Sequence, residues 1–538
     1  MKDKKKLLRV HPEDNVAIAL VDLRKGERID FEGETIIPLS DVGVKHKISL
    51  LSLKAHSEVY MYGVLVGETN SAIEKGELLT TTNLIHRTNP NITKTVTKGW
   101  SPPDVKKWKN RTFMGYHRSD GQVGTANVWL FFPLVFCENR NVQLLKEIFE
   151  KELYQDEISE HRRLLRNLIH DNAMLFSEIP KPKPVFENVS VKFITHHGGC
   201  GGTRQDAQLL ARLLAGYVNN PNVAGATVLS LGCQNLQIKM FQEAIRAVNP
   251  RFQKPLLIYE QQKIGQGDKM MDAIISESFE GISEANKIRR SPAPLSKLNL
   301  GLECGGSDGF SGISANPVLG YVSDILAALG GSAILSEFPE LCGVEEELVN
   351  RCVDGENANK FIRIMREYEK SAIAVGSGFD MNPSPGNIRD GLITDAMKSA
   401  GAAKKGGNSP ITDVLDYTEY VTKPGLNLLC TPGNDVESTT GMVGSGANVV
   451  AFTTGLGTPT GNPISPVIKI ASNSTLAETM PDIIDFDTGP VVKGEKSISE
   501  MGNELMEYLI NVCSGHTKVK ADLLNHDDFI PWKRGISL

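Results

Sequence analysis

The sequence has no C-x-x-C pair and no apolar run of the roughly 18 residues needed to cross a bilayer. Its eight cysteines, scattered from Cys137 to Cys513, do not form a disulfide framework in a chain this long. Reduced thiols are expected. The GxGxxG fingerprint of dinucleotide sites is missing, as is the GxxxxGK[ST] phosphate loop, and both nicotinamide and ATP chemistry are disfavoured on that ground. A net charge of -6, from 58 basic and 64 acidic residues, is too mild to predict a nucleic acid or a membrane surface as partner. The basic opening MKDKKKLLRV is followed by no apolar signal segment. A cytoplasmic protein is expected.

Glycine, by contrast, is plentiful, with 50 residues in 538, in a chain that is 40% hydrophobic. At roughly 150 residues per domain the length predicts three or four units. Residues 7–86 read as short strands between glycine or charged turns, which makes 1–87 a small all-β unit. Residues 88–112 carry Pro90, Pro102 and Pro103 without a sustained period and read as a linker. The remainder divides into an α/β middle domain, 113–290, and a C-terminal α/β domain, 291–538. Residues 143–185 are charged and helical in pattern, with His161 and His170 on solvated positions.

Three segments, 189–218, 220–245 and 298–330, each run from an apolar strand through a glycine loop into a helix. They predict a mostly parallel, Rossmann-like sheet whose ligands lie at the carboxyl ends of its strands. The densest loop is 301–317, GLECGGSDGFSGISANP, with five glycines, Glu303, Cys304, Ser307, Asp308, Ser311 and Asn316. Further candidates stand on similar loops: His196, His197 and Cys200 in HHGGCGG, and Cys233 after 228–232. Glu337 ends a strand at 333–335, and Asn434 and Asp435 follow a strand at 426–430. Upstream, the loop before the apolar run 128–136 holds Arg118 and Asn127, and an arginine fork there suits a substrate carboxylate. NPSPGN at 382–387 reads as a proline-locked, solvent-facing turn.

LECGGSDGFSGISANP, NPSPGN, GLNLL…PGND (425–435), TTGLGTPTGNPISPVIKIASN and DFDTG (485–489) together resemble the altronate/galactarate dehydratase family. VKHKISL and YGVLVGETNSAIEKGELL resemble its N-terminal SAF-type β-clip domain, and the resemblance runs from about Val10 to the C-terminus. It implies a hydro-lyase that removes water from a sugar acid, D-altronate before galactarate or another hydroxy acid, leaving a 2-keto-3-deoxy acid. It also implies a divalent metal, Fe2+ ahead of Mn2+, Mg2+ or Ca2+, and a homodimer. The HHGGCGGTRQD loop departs from the family pattern.

Such a reaction needs a base for the proton alpha to a carboxylate, a cation for the charge that develops, and an acid for the departing hydroxyl. The candidate metal ligands are Cys304, Glu337, Asp308 and Asn434 or Asp435, with Cys200 and Cys233 second. For the base, His196 or His197 is preferred to His46 of the β-clip unit. Arg118, Asn127, Ser307, Asn316 and Asn434 are the candidate substrate contacts. This reading requires the loops at 117–127, 196–206, 232–235 and 431–440 to converge on 301–317. Two alternatives are a sugar-acid-binding protein without chemistry, and a hydrolase using Ser307 or Ser311. The latter is set aside on the pattern around Ser307.

Overall fold

A computed structural model describes residues 5–87, 92–96, 99–154 and 184–537, together with positions 164 and 168. Apart from those two positions, the helical pattern around His161 and His170 lies outside the described residues. No helix among the described residues is long and apolar enough to cross a membrane.

The first unit is all β. Val16–Ala19 pairs with Leu7–Leu8 and Lys47–Ser49, and Glu58–Met61 pairs with Val64–Thr69, which in turn pairs with Leu84–Ile85. The described parts of the following stretch, 92–96 and 99–112, are bonded to the body of the protein instead of running free as a linker. The Asn350 side chain accepts from the Thr95 amide at 3.0 Å, and Trp108 is fully buried.

Two parallel sheets follow. The first has the order Ser190–Phe193, Val128–Pro133, Val223–Ser230, Leu256–Glu260. The second has seven strands in the order Ile411–Leu415, Gly425–Leu429, Ser332–Leu335, Asn299–Cys304, Val449–Thr454, Val467–Ala471, Phe486–Asp487. The central strands of the second sheet are near-continuous apolar runs buried on both faces, as a parallel sheet covered by helices requires. The chain enters the second sheet at Asn299–Cys304, builds outward on one side through Ser332–Leu335, then crosses to Val449–Thr454 on the other. Asn299–Cys304 therefore borders the point where the winding reverses, and the crevice opens at its carboxyl end.

Between the two sheets the chain forms a helix, Gly267–Ala285, followed by the strand Ser291–Pro294. That strand pairs antiparallel with Thr112–His117. The two α/β domains meet where the helix Arg204–Asn219, started by a Thr203/Asp206 capping box, crosses the helix Asp435–Gly444. A Cβ on Gly216 would lie 1.8 Å from the Gly444 carbonyl, so glycine is what allows this approach. NPSPGN is not a solvent-facing turn. Ser384 caps a short helix, Pro385–Arg389, and buried Asn387 donates to the Ser307 carbonyl at 2.7 Å.

Candidate active site

The strand Asn299–Cys304 delivers two consecutive residues into the crevice, Glu303 and Cys304, both buried. The next strand, Ser332–Leu335, is followed at once by Ser336 and Glu337. Glu337 takes a left-handed backbone (φ 63), rare for a residue with a side chain, and an outlier of this kind at a strand end marks a functional constraint. One turn on, Glu340 points into the same space.

Lys405 lies just beyond the helix Asp395–Ala402 and is as buried as the acids it meets. Its ammonium donates to the Cys304 Sγ and to Glu337 Oε2, each at 2.8 Å. Lys398 pairs with Glu340 at 2.6 Å and donates to Asn382 Oδ1 at 2.7 Å. The Cys304 thiol donates to Glu340 Oε2 at 3.2 Å. On the other flank the Ser438 hydroxyl donates to Glu303 Oε2 at 2.7 Å, and Thr431 donates to Ser438 at 2.9 Å. Asp435 heads its helix just after the Asn434 cap, close against Gly305. A Cβ at residue 305 would fall 2.0 Å from Asp435 Oδ2.

Four carboxyl groups, Glu303, Glu337, Glu340 and Asp435, thus share a buried space with two ammonium groups. Burial and the neighbouring Glu337 hold Glu303 well above the usual carboxylate range. Burial and Glu340 also raise Glu337, against the pull of Lys405. Burial raises Asp435 to about 7, with help from Glu337 and Glu340. Glu340 goes the other way: burial opposes its charge, but Lys398 and Lys405 more than offset this. Burial and Glu340 push the Cys304 thiol well up, so it is neutral.

Glu303 Oε1 and Glu337 Oε1 are buried with no donor from any other described residue, and the two carboxyls face each other closely enough to share a proton. Glu303, Glu337 and Asp435 each place a carboxylate oxygen within 4.8 Å of the others'. Carboxyls held protonated by burial and crowding exchange those protons for a bound cation, and an oxygen-lined triangle of this kind fits a hard divalent one. Cys304 is closely engaged by Lys405 and Glu340, which leaves the oxygen face as the better-matched receptor.

The other candidates are distributed as follows. Asp308 is fully buried but already satisfied. It pairs with Lys45 of the β-clip unit at 2.9 Å and accepts from Ser311, Ser472 and Asn473. Its partners make it the anchor of the β-clip unit, whose Lys47 ammonium donates to the Gly391 carbonyl at 2.6 Å. His46 is at the same junction, with Nε2 donating to the Arg389 carbonyl at 3.1 Å. Burial and Lys47 lower its pKa, leaving a neutral ring whose Nδ1 is an acceptor.

Asn316 accepts from Thr453 and donates to the Gly401 carbonyl, and Ser307 is buried under Asn387. GGSDG does formally match the G-x-S-x-G nucleophile spacing, but the Ser311 hydroxyl donates to Asp308, and no imidazole bonds to either serine among the described residues. Asn434 accepts from the Val436 and Glu437 amides as a helix cap.

Arg118 and Asn127 lie at the amino edges of the sheets, opposite the crevice. The guanidinium is spent on the Pro221, Ala126 and Asn222 carbonyls and on Asn127, so the 117–127 loop does not converge on 301–317. Its sequence signal, a cation beside a strand, is equally the signature of a residue that ties loop carbonyls together. His196 is buried, donates to the Pro133 carbonyl at 2.7 Å and is driven down to about 4 by burial, so both ring nitrogens are occupied in structure. His197, Cys200 and Cys233 are exposed, on loops at the carboxyl edge of the four-stranded sheet. Those loops bond to one another and to the C-terminal tail, through Leu236 to Gly199, Arg534 to Asp206 and a Gly202–Ser537 bridge.

Sequence reasoning missed Glu340, Lys398 and Lys405. Glu340, an acid inside the apolar FPEL, was the one detectable signal; the two lysines read as ordinary charged positions.

Comparison with known proteins gives this crevice a family. The models for the altronate/galactarate dehydratase SAF domain, the D-galactarate dehydratase/altronate hydrolase second domain and the D-galactarate/altronate dehydratase C-terminal domain match residues 5–87, 115–286 and 295–537. Altronate dehydratase of Bacillus subtilis (strain 168) is 33% identical over 99% of this chain and 100% of its own length. Altronate dehydratase of Escherichia coli (strain K12) is 32% identical over 94% of this chain and 95% of its own. Galactarate dehydratase (L-threo-forming) of the same organism is 30% identical over 96% and 94%.

The chain is therefore an enzyme of the hydro-lyase class. It belongs to the altronate/galactarate dehydratase family, with the SAF-type domain at its N-terminus.

Proposed function

We propose that the chain dehydrates D-altronate to 2-keto-3-deoxy-D-gluconate in a metal-dependent reaction. The observation that carries this reading is the buried excess of carboxyl groups at the crevice, with Glu303 and Glu337 facing each other beside Asp435. Glu303, Glu337 and Asp435 would hold a divalent cation, Fe2+ first, with Mn2+, Mg2+ and Ca2+ as the alternatives their oxygen donors also suit. Such an ion supplies electrostatic stabilisation for the charge that develops on the substrate carboxylate as the alpha proton leaves.

The chain's own residues divide the remaining work. Lys405 and Lys398 fix Glu337 and Glu340 in place and keep the cluster from repelling an acidic substrate. Asn382 and Asn434, which are not fully buried, would orient sugar hydroxyls. The turn 305–309 touches Asp435 at one end and the Lys45 backbone at the other, and His46 directly follows Lys45. Neutral His46 is our choice for the base that takes the alpha proton, since its environment keeps it unprotonated at neutral pH. The free thiols support a reducing, cytoplasmic setting, and a homodimer follows the general prevalence of twofold assemblies.

The test is anaerobic assay of the purified chain with Fe2+ and reductant for a 2-keto-3-deoxy acid. D-altronate is expected to turn over. Preference for galactarate, which the galactarate-dehydrating relative makes the second reading, would reassign the substrate. No product from either acid or from related aldonates would refute the reading.

A further inference from the structure

A second cluster of metal-ligating side chains lies where the β-clip unit meets the C-terminal domain. His86 follows the last β-clip strand, Cys342 follows the 338–341 turn, and Asp395 opens the helix Asp395–Ala402. One donor atom from each, an imidazole nitrogen, the thiol sulfur and a carboxylate oxygen, lies within 4.8 Å of the other two. The junction itself is firmly set, because Thr394 donates to the Val66 carbonyl of the β-clip unit at 2.7 Å.

Asp395 is 2% exposed, and its carboxylate has the His86 imidazole and the Cys342 thiol as its side-chain partners. Oδ1 abuts the imidazole Nδ1 of His86 as an ion pair. The Cys342 thiol is the carboxylate's other side-chain partner in this buried space. A carboxylate this deep is ordinarily tied to backbone amides or hydroxyls. Here what faces it is a nitrogen and a sulfur, two donor types that recur around borderline transition metals.

We propose that His86, Cys342 and Asp395 form a second metal site, selective for Zn2+ or a chemically similar ion and separate from the carboxylate crevice. Neutral imidazole, thiolate and carboxylate balance a divalent charge. Binding displaces the thiol proton, and the imidazolium proton where present, to solvent. In tetrahedral zinc sites adjacent donors stand about 3.5 Å apart, so the three groups need only close by rotamer adjustment. His86 is 30% exposed on its side chain, which leaves the fourth position open to water.

The site staples the β-clip unit to the catalytic domain. It also borders the crevice on two elements, since Cys342 is two residues from Glu340 and Asp395 three from Lys398. This inference does not depend on the substrate or metal assigned above.

The test uses the full chain, stripped with chelator and titrated anaerobically with Co2+. The expected result is a thiolate-to-cobalt charge-transfer band with tetrahedral visible bands, abolished by excess Zn2+. The band is expected to be lost in both Cys342→Ser and His86→Gln, and retained in Cys304→Ser. Far-UV circular dichroism checks that each variant is folded, and because His86 is partly exposed, His86→Gln keeps the test decisive if Cys342→Ser misfolds. Absence of the band in the wild type, its loss in Cys304→Ser, or its persistence in His86→Gln would each overturn the proposal and leave His86 and Asp395 as an ion pair only.

Discussion

Replacing Lys405 with methionine tests the electrostatic account of the crevice most directly. The side chain is 1% exposed and its ammonium donates at 2.8 Å to both Glu337 and Cys304. Although burial opposes its charge, the acidic groups around it hold it well above the usual lysine range. Methionine preserves the stem but leaves Glu337 facing Glu303, Glu340 and Asp435 with a cation removed. Breaking a buried pair from one side costs about 3–5 kcal/mol, because the remaining charge is uncompensated. For a domain of this size each kcal/mol moves the melting temperature by about 2–4 °C, so a drop on the order of 10 °C is expected by calorimetry.

The double variant K405M/E337Q removes both partners and should recover at least half of that loss. The pH dependence carries a sign as well. Glu337 already has a raised pKa in the folded state, and losing Lys405 raises it further. An acid with a raised folded pKa is best tolerated where it is protonated, at low pH, and its penalty grows as pH rises from the unfolded value of 4.5 towards the folded one. K405M should therefore be closer to wild type at pH 5 than at pH 8. A melting shift below about 2 °C, or a double variant no more stable than K405M, would refute the reasoning.

Asp435, at about 7 in the folded chain against 3.8 unfolded, binds an extra proton in the native state, so it makes stability fall as pH rises between those values. Asp435→Asn should flatten that slope in metal-free thermal melts and weaken divalent-ion binding in titration calorimetry. Gly305→Ala places a Cβ where Asp435 Oδ2 now lies; turnover should collapse while circular dichroism stays native, and unchanged kinetics would remove Asp435 from the site. Arg118→Lys should lower the melting temperature without altering KM, since its fork is engaged by carbonyls at the amino edge; a rise in KM alone would restore it as a substrate contact. Lys45→Met leaves the buried Asp308 unpaired and should cost about 3 kcal/mol, visible as earlier melting and faster proteolytic release of the β-clip unit.

The sequence by itself determined the class of fold and the family. Apolar runs such as Val449–Thr454 can only be strands buried on both faces, and a glycine loop between strand and helix can only sit at a sheet edge. It also put Cys304, Glu337 and Asp435 on such edges, because Cys304 and Glu337 stand at the ends of recognisable strands and Asp435 lies on the glycine loop after another. The tertiary structure decided which edge and in what company. Arg118 and Cys304 both border strands, but only the winding order shows that one lies at the amino end and the other at the carboxyl end. Asp308 and Asp435 are both acids in polar loops, yet Asp308 is claimed by a lysine 263 positions earlier, and that pairing exists only once the β-clip unit has docked. Lys405 looks like a solvated charge in AAKKGG. It becomes the central cation because parallel register brings the carboxyl ends of strands far apart in sequence to one point, where a buried ammonium is stable only among the acids assembled there.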